Sequence, residues 1–109
     1  MAKEVPYELY RRIPINSLIL FCVFSVYSRK NNCSFEELTK ECFELFPRVF
    51  CLKGISKWPD SRKLDRPLRA LRRSNLIKGD PDKSFVLTAA GEKTAEGTAK
   101  FLMQKRLII

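Results

Sequence analysis

The chain of 109 residues contains no histidine, only four glycines and four cysteines, and its acidic residues are outnumbered 12 to 21 by lysine and arginine. Without imidazole there is no side chain poised for acid–base work near neutral pH and no histidine ligand for a metal. The cysteines, Cys22, Cys33, Cys42 and Cys51, form no Cys-x-x-Cys pair, which argues against a zinc site. Three of them stand among apolar neighbours, as in Phe21-Cys22-Val23, Cys42-Phe43 and Phe50-Cys51-Leu52, where a reduced thiol serves as a small core residue. Neither a bound metal nor a structural disulfide is expected. The sparse glycines build no phosphate-cradling loop, no cysteine is paired with a base, and none of the lysines follows an acid by two residues as in one class of metal-dependent nucleases. The expectation is therefore a protein that is not an enzyme and that holds no cofactor or small-molecule ligand.

Long hydrophobic runs are also missing. The apolar stretch from Leu18 to Tyr27 follows Arg11 and Arg12, but it is well short of the roughly 20 residues that span a bilayer. Glu4 and Glu8 interrupt the would-be basic leader, and no small-x-small cleavage pattern follows. This stretch reads as a buried helix of a cytoplasmic protein with no membrane partner.

What is present is basic charge, a formal net +9. It is concentrated between residues 47 and 83, where eleven basic side chains face four acidic ones, whereas residues 31 to 46 hold one basic and four acidic. A field of that kind favours an anionic partner.

The length suits one core. Residues 1–15, punctuated by Pro6 and Pro14, read as an N-terminal arm with at most a short helix around Tyr7 to Arg12. Asn16 is positioned to cap a helix from Ser17 to about Arg29, apolar on nearly all sides. Ser34 and Glu37 form a capping box for a helix running to about Phe46, with Phe35, Leu38, Cys42, Leu45 and Phe46 on one side and Glu36, Glu37, Glu41 and Glu44 on the other; Pro47 stops it. Residues 48 to 59 lack a clean period and read as a partly buried connector, with Trp58 a core or loop anchor rather than a base-stacking group. Asp60 or Ser61 can cap a third helix to about Ser74, in which Pro67 demands either a kink or a start near Leu64. Strands at Leu76 to Lys78 and Ser84 to Leu87 flank the turn sequence Gly79-Asp80-Pro81-Asp82-Lys83. Thr88 can cap a last helix to about Lys105, weakened by Gly91 and Gly97.

Three helices, a hairpin and a final helix, with Trp58-Pro59-Asp60-Ser61, the run Leu68 to Ile77 and Leu87-Thr88-Ala89-Ala90-Gly91 in this order, resemble the winged helix-turn-helix superfamily. The resemblance covers roughly residues 16 to 105. It implies a mainly α fold with a small β-hairpin: a winged-helix core over 16–88, with the third helix as recognition helix and the hairpin as wing, followed by a C-terminal helix over 89–109. The sequence departs from the family in a link of about 13 residues between the second and third helices, and in Asp80 and Asp82 at the wing tip, which oppose phosphate contact.

At 100° per residue, Leu64, Leu68 and Leu71 share one stripe of the third helix, and Arg62, Arg66, Arg69 and Arg73 cluster opposite, each set within roughly 60°. Guanidinium groups in such an array bond phosphates in pairs or reach guanine in the major groove. The bland alternative is a solvated basic face. Lys63, Arg72, Lys53, Lys57, Lys78 and Lys83 are secondary phosphate candidates. The function expected is double-stranded DNA binding, as a transcriptional regulator. The alternatives are a protein-interaction module of the same fold, or the DNA-binding part of a restriction or mobile-element system. Phe101, Leu102, Leu107, Ile108 and Ile109 give the last helix an apolar end, expected either to pair two copies or to adjoin a further domain.

Overall fold

The computed structural model describes residues 4–30, 32–79 and 84–108. Helix α2 (Ile15–Lys30) occupies the centre. Its Leu18, Ile19, Leu20, Cys22, Val23 and Val26 are all buried. A helix apolar on so many sides needs cover from several directions, and it receives it from α3, α5, α6 and the strand β4. The expected cap at Asn16 is displaced: the carbonyl of Pro14 accepts from the amides of Ser17 (3.0 Å) and Leu18 (3.2 Å), so Asn16 lies inside the first turn. Arg29 and Lys30 close the helix where the macrodipole favours cations.

Helix α3 (Phe35–Leu45) starts as its capping residues dictate, with the amide of Glu37 donating to Ser34 Oγ at 3.1 Å. Its polar side is not all solvent, however. Glu41 is 2% exposed, and its carboxylate accepts from Ser25 Oγ (2.6 Å) and from the guanidinium of Arg29 (2.7 Å), both on α2. Lys30 and Glu37 make a second, exposed bridge between these helices at 2.9 Å. In the link between them, the Cys33 carbonyl accepts from the Phe85 amide at 2.7 Å, and its thiol is fully buried. Burial, with smaller contributions from Cys22, Glu37 and Glu41, pushes that thiol up to about 12.

Residues 4 to 13 are packed into the core rather than forming a detached arm. Only Tyr7–Tyr10 is helical (α1), yet Val5, Leu9 and Tyr10 are buried and the Val5 amide donates to the Leu45 carbonyl. Tyr10 meets Phe46 edge-on at 4.8 Å, and its hydroxyl accepts from the Arg48 amide. Pro47 ends α3 but also opens a new turn, α4 (Pro47–Phe50), as a proline in a first helical position can. The expected connector then becomes a hairpin, β1 (Cys51–Leu52) with β2 (Ile55–Pro59). Gly54 turns it at φ +87°, a conformation that costs glycine little.

Asp60 caps the next segment by accepting from the Arg62 amide. That segment is a tight 3-10 turn, Ser61–Leu64, followed by helix α5 (Asp65–Arg73), which places Pro67 in the first turn of α5 and removes any need for a kink. Helix α5 ends on a residue that sequence periodicity does not reveal. Asn75 adopts φ 60°, the Asn75 amide donates to the Arg72 carbonyl, and the Leu76 amide donates to the Leu71 carbonyl. This is a Schellman closure with asparagine in the left-handed position. It delivers the chain into β3 (Ile77–Gly79), paired antiparallel with β4 (Phe85–Leu87). The intervening turn, with Asp80, Asp82 and Lys83, lies outside the described residues.

Helix α6 (Ala89–Ile108) is capped by Thr88, whose hydroxyl accepts from the Gly91 amide at 3.1 Å and donates to the carbonyls of Asn75 (2.8 Å) and Leu76 (3.1 Å). One residue thus ties the end of α5 to the start of α6. Gly91 is needed there for closeness, because a Cβ at that position would lie 1.9 Å from the Leu76 carbonyl oxygen. Leu102, expected as part of an uncovered apolar end, is buried, while Phe101 and Met103 are exposed at 42% and 69%; the side chains of Leu107, Ile108 and Ile109 lie outside the described residues. Mainly helical, with two small antiparallel hairpins, the chain has a radius of gyration of 13.1 Å, as expected for one compact body of this length. Among the described residues no helix is long and apolar enough to cross a membrane.

The two glycines of α6 should respond oppositely to alanine. A methyl group added at Gly97 would meet nothing within 4 Å, so Gly97→Ala should stabilise by about 0.5–1 kcal/mol. Gly91→Ala should destabilise by about 1–3 kcal/mol despite the same gain in helix propensity. Urea unfolding midpoints of the two variants check both signs.

Candidate nucleic-acid interface

Helix α5 has two chemically opposed faces. Leu68 and Leu71, with Leu64 from the preceding turn, are buried, and α5 packs through this side on α2. Arg66, Arg69 and Arg73 are exposed on the other side. With Asn16, Pro67 and Ala70 they line a depression of about 440 Å³ between α5 and the start of α2. Among the described residues none of the three arginines has an ion pair. Three guanidinium groups spaced i, i+3 and i+7 repel one another, with no ion pair among the described residues to offset the repulsion. They offer a row of about fifteen N–H donors to an anionic ligand.

The remaining basic residues of this region divide into those used by the fold and those left outward. Arg62, expected in the same row as the other three, instead lies in the 3-10 turn, where the 100° spacing does not apply. Its guanidinium bonds the Asp60 carboxylate (Nε to Oδ1 3.1 Å, Nη2 to Oδ2 3.4 Å). That side-chain pairing holds the Asp60 carboxyl below the usual carboxylate range and raises Arg62 above its own. Lys63 turns inward, its Nζ donating to the Val49 carbonyl at 3.2 Å. Arg72 is half-buried and donates to the Gly79 carbonyl at 3.3 Å, fastening α5 to β3. Lys53, Lys57 and Lys78 are exposed, the first two on the hairpin β1–β2 and the third on β3. Lys83 lies outside the described residues.

Trp58, expected as an anchor, is 59% exposed. Asn16, expected as a cap, enters the rim of the depression instead. Nothing in local sequence signals that role, because it arises from the packing of α5 across the first turn of α2. Among the described residues no cluster of potential ligands could hold a metal ion, and none of the four cysteines is in a disulfide, with only Cys51 less than fully buried. Comparison with protein-family models, with curated proteins and with solved structures returns no match.

The two faces should separate by mutation. Leu68→Ala should cost about 2–5 kcal/mol through the cavity it opens, whereas Arg66→Ala, Arg69→Ala and Arg73→Ala should each stay within about 0.5 kcal/mol of the parent; chemical denaturation of the four variants compares them. Acid provides a second test. Because Asp60 is depressed in the folded state, its contribution is present above the ordinary carboxylate range, about pH 4, and is lost as pH falls through its lowered value. Asp60→Asn should therefore melt below the parent at about pH 7, and the gap should close as the pH falls below about 4.

Proposed function

We propose that this chain is a double-stranded DNA-binding domain of the winged helix-turn-helix kind, working without catalysis as a transcriptional regulator. In this reading α2, α3 and α5 are the three-helix core, α5 is the recognition helix, and β3–β4 is the wing. The observation that carries it is the exposed row Arg66, Arg69 and Arg73, without an ion pair among the described residues, on a helix whose opposite face is locked into the core. A helix fits the major groove, where arginine reaches guanine O6 and N7 or adjacent phosphates. Because the leucine face fixes the roll of α5, the helix itself needs no reorientation on binding, and the ordering cost falls on the arginine side chains.

Two further features support the fold assignment. The Leu87-Thr88-Ala89-Ala90-Gly91 sequence has a physical function here, with Thr88 bridging α5 and α6 and Gly91 admitting the Leu76 carbonyl. The end of α5 also runs directly into the hairpin through Asn75. The contact set is narrower than the helical wheel alone indicates. Arg66, Arg69 and Arg73 lead, Lys78 is a phosphate contact, and Arg62, Lys63 and Arg72 serve first to hold the helix in place.

The exposed Met103 on α6 favours an additional role for that helix in pairing two copies. Such a dimer would present two α5 helices to successive half-sites.

A labelled-duplex titration at two salt concentrations tests the DNA reading. Binding should weaken steeply with salt. A triple Arg66→Ala, Arg69→Ala, Arg73→Ala variant that melts like the parent should lose affinity by at least about tenfold, and a single variant by about 1–3 kcal/mol where the arginine reads a base. Undiminished binding by the triple variant, or no salt-sensitive binding by the parent, would overturn the assignment.

A further inference from the structure

The hairpin β1–β2 stands where a tight turn would otherwise join α3 to α5, and its side chains are unusual. Its register is irregular: Leu52 pairs with Ile55 and Cys51 with Pro59, so Ser56, Lys57 and Trp58 have no counterpart on β1. A bulge of this size pushes its members out of the ladder. The hairpin carries a tryptophan 59% exposed, together with Ile55 at 41% and the exposed lysines Lys53 and Lys57. Leaving the chain's single tryptophan in water forfeits one of the largest apolar burials available to it.

The hairpin is also tied rigidly to α5. The Asp60 amide donates to the Phe50 carbonyl at 2.8 Å, closing the base of the hairpin, and the Asp60 carboxylate caps the turn that leads into α5. Lys63 bonds the Val49 carbonyl across the same base. The acid nearest in sequence to the hairpin, Asp60, is paired with Arg62, which leaves Lys53 and Lys57 without an ion pair among the described residues. An exposed indole on the same hairpin as two such cations suits a polyanion with apolar base and sugar edges, and not an acidic protein surface that would leave the indole unmatched.

We infer that β1–β2 is a second DNA-contacting element, in which Trp58 packs on base and sugar edges beside the groove entered by α5 while Lys53 and Lys57 hold phosphates. The inference rests on the DNA reading of α5 and extends it to a separate element, so the two are tested apart. Affinity is read from the anisotropy of a dye-labelled duplex, and contact by Trp58 from its own emission, which no other indole in the chain obscures. Saturating duplex should quench Trp58 emission, and added salt should reverse it. Trp58→Ala should weaken binding by about tenfold, with Trp58→Phe recovering most of the loss. The Lys53→Ala, Lys57→Ala pair should lower the salt slope by about two. Thermal melts by circular dichroism control for folding, and if Trp58→Ala melts early, quenching in the unaltered protein carries the test. Parent-like affinity of Trp58→Ala together with unchanged Trp58 emission at saturation overturns the inference, and if the α5 arginine variants still lose binding the DNA reading stands. No duplex binding by the parent overturns both. A shift in Trp58 emission that depends on protein concentration and not on duplex also overturns it, assigning the hairpin to a protein contact.

Discussion

The burial of α2 is the constraint on which the rest of the structure depends. Six of its sixteen residues are core residues that cannot be satisfied by one neighbour, and each fully buried large aliphatic side chain contributes about 1.5–3 kcal/mol. Helices α3, α5 and α6 and strand β4 therefore arrange themselves by what they can offer to α2. Because α2 is apolar on so many sides, hydrophobic contact alone gives α3 little preference for where it sits around it, and polar groups supply that preference. Glu41, buried with Ser25 and Arg29 as partners, permits one seating of α3 on α2, since a buried carboxylate displaced from its partners would cost about 3–5 kcal/mol. Once α3 is seated, the α4 turn and the first hairpin set the entry point of α5, and its leucines set the roll.

Much of this is legible in residues whose effect is local. Ser34, Asp60 and Thr88 each accept from a backbone amide within three residues of themselves and cap where expected, whereas the Glu37 carboxylate accepts from Lys30 and the cap expected at Asn16 is displaced. Pro67 forces a choice between a kink and a late start, and the helix starts late. The alternation of leucine and arginine along α5 separates core from surface for Arg66, Leu68, Arg69, Leu71 and Arg73, and Leu64 of the preceding turn is buried as the same pattern requires. What escapes depends on distant partners. Glu41 carries no sign that Arg29, twelve residues back, will pair with it in the interior. The N-terminal segment reads as an arm because its anchors, Tyr10 on Phe46 and Val5 on Leu45, are long-range. The first hairpin is illegible because its bulge erases the two-residue alternation that marks a strand. Arg62 is misplaced by the helical wheel because one turn of 3-10 geometry shifts the spacing.

Six basic side chains lie between residues 61 and 73, and the structure sorts them by task. Arg62, Lys63 and Arg72 direct donors to Asp60, Val49 and Gly79, bracing both ends of α5. Arg66, Arg69 and Arg73 form no ion pair with the described residues. Bracing and presentation are complementary. A row of like charges tends to fray a short helix, and α5 resists because its approach is pinned through Lys63, its last turn through Arg72, and its exit is locked by the Asn75 closure.

Three of the four thiols, Cys22, Cys33 and Cys42, are sealed in the interior, and the Cys33 sulfur is held firmly in its protonated form. Nucleophilic attack and oxidation require thiolate and access, so the native state shelters these sulfurs by burial and, at Cys33, by protonation as well. Unfolding removes the shelter from all of them together. An opened chain in an oxidising medium would expose these sulfurs to cross-linking, and a bridge formed between positions that are apart in the fold would have to be broken before the core could close again. For this fold, then, reversibility belongs to the surroundings as much as to the sequence: the same opening that is harmless in a reducing compartment becomes a one-way exit outside it.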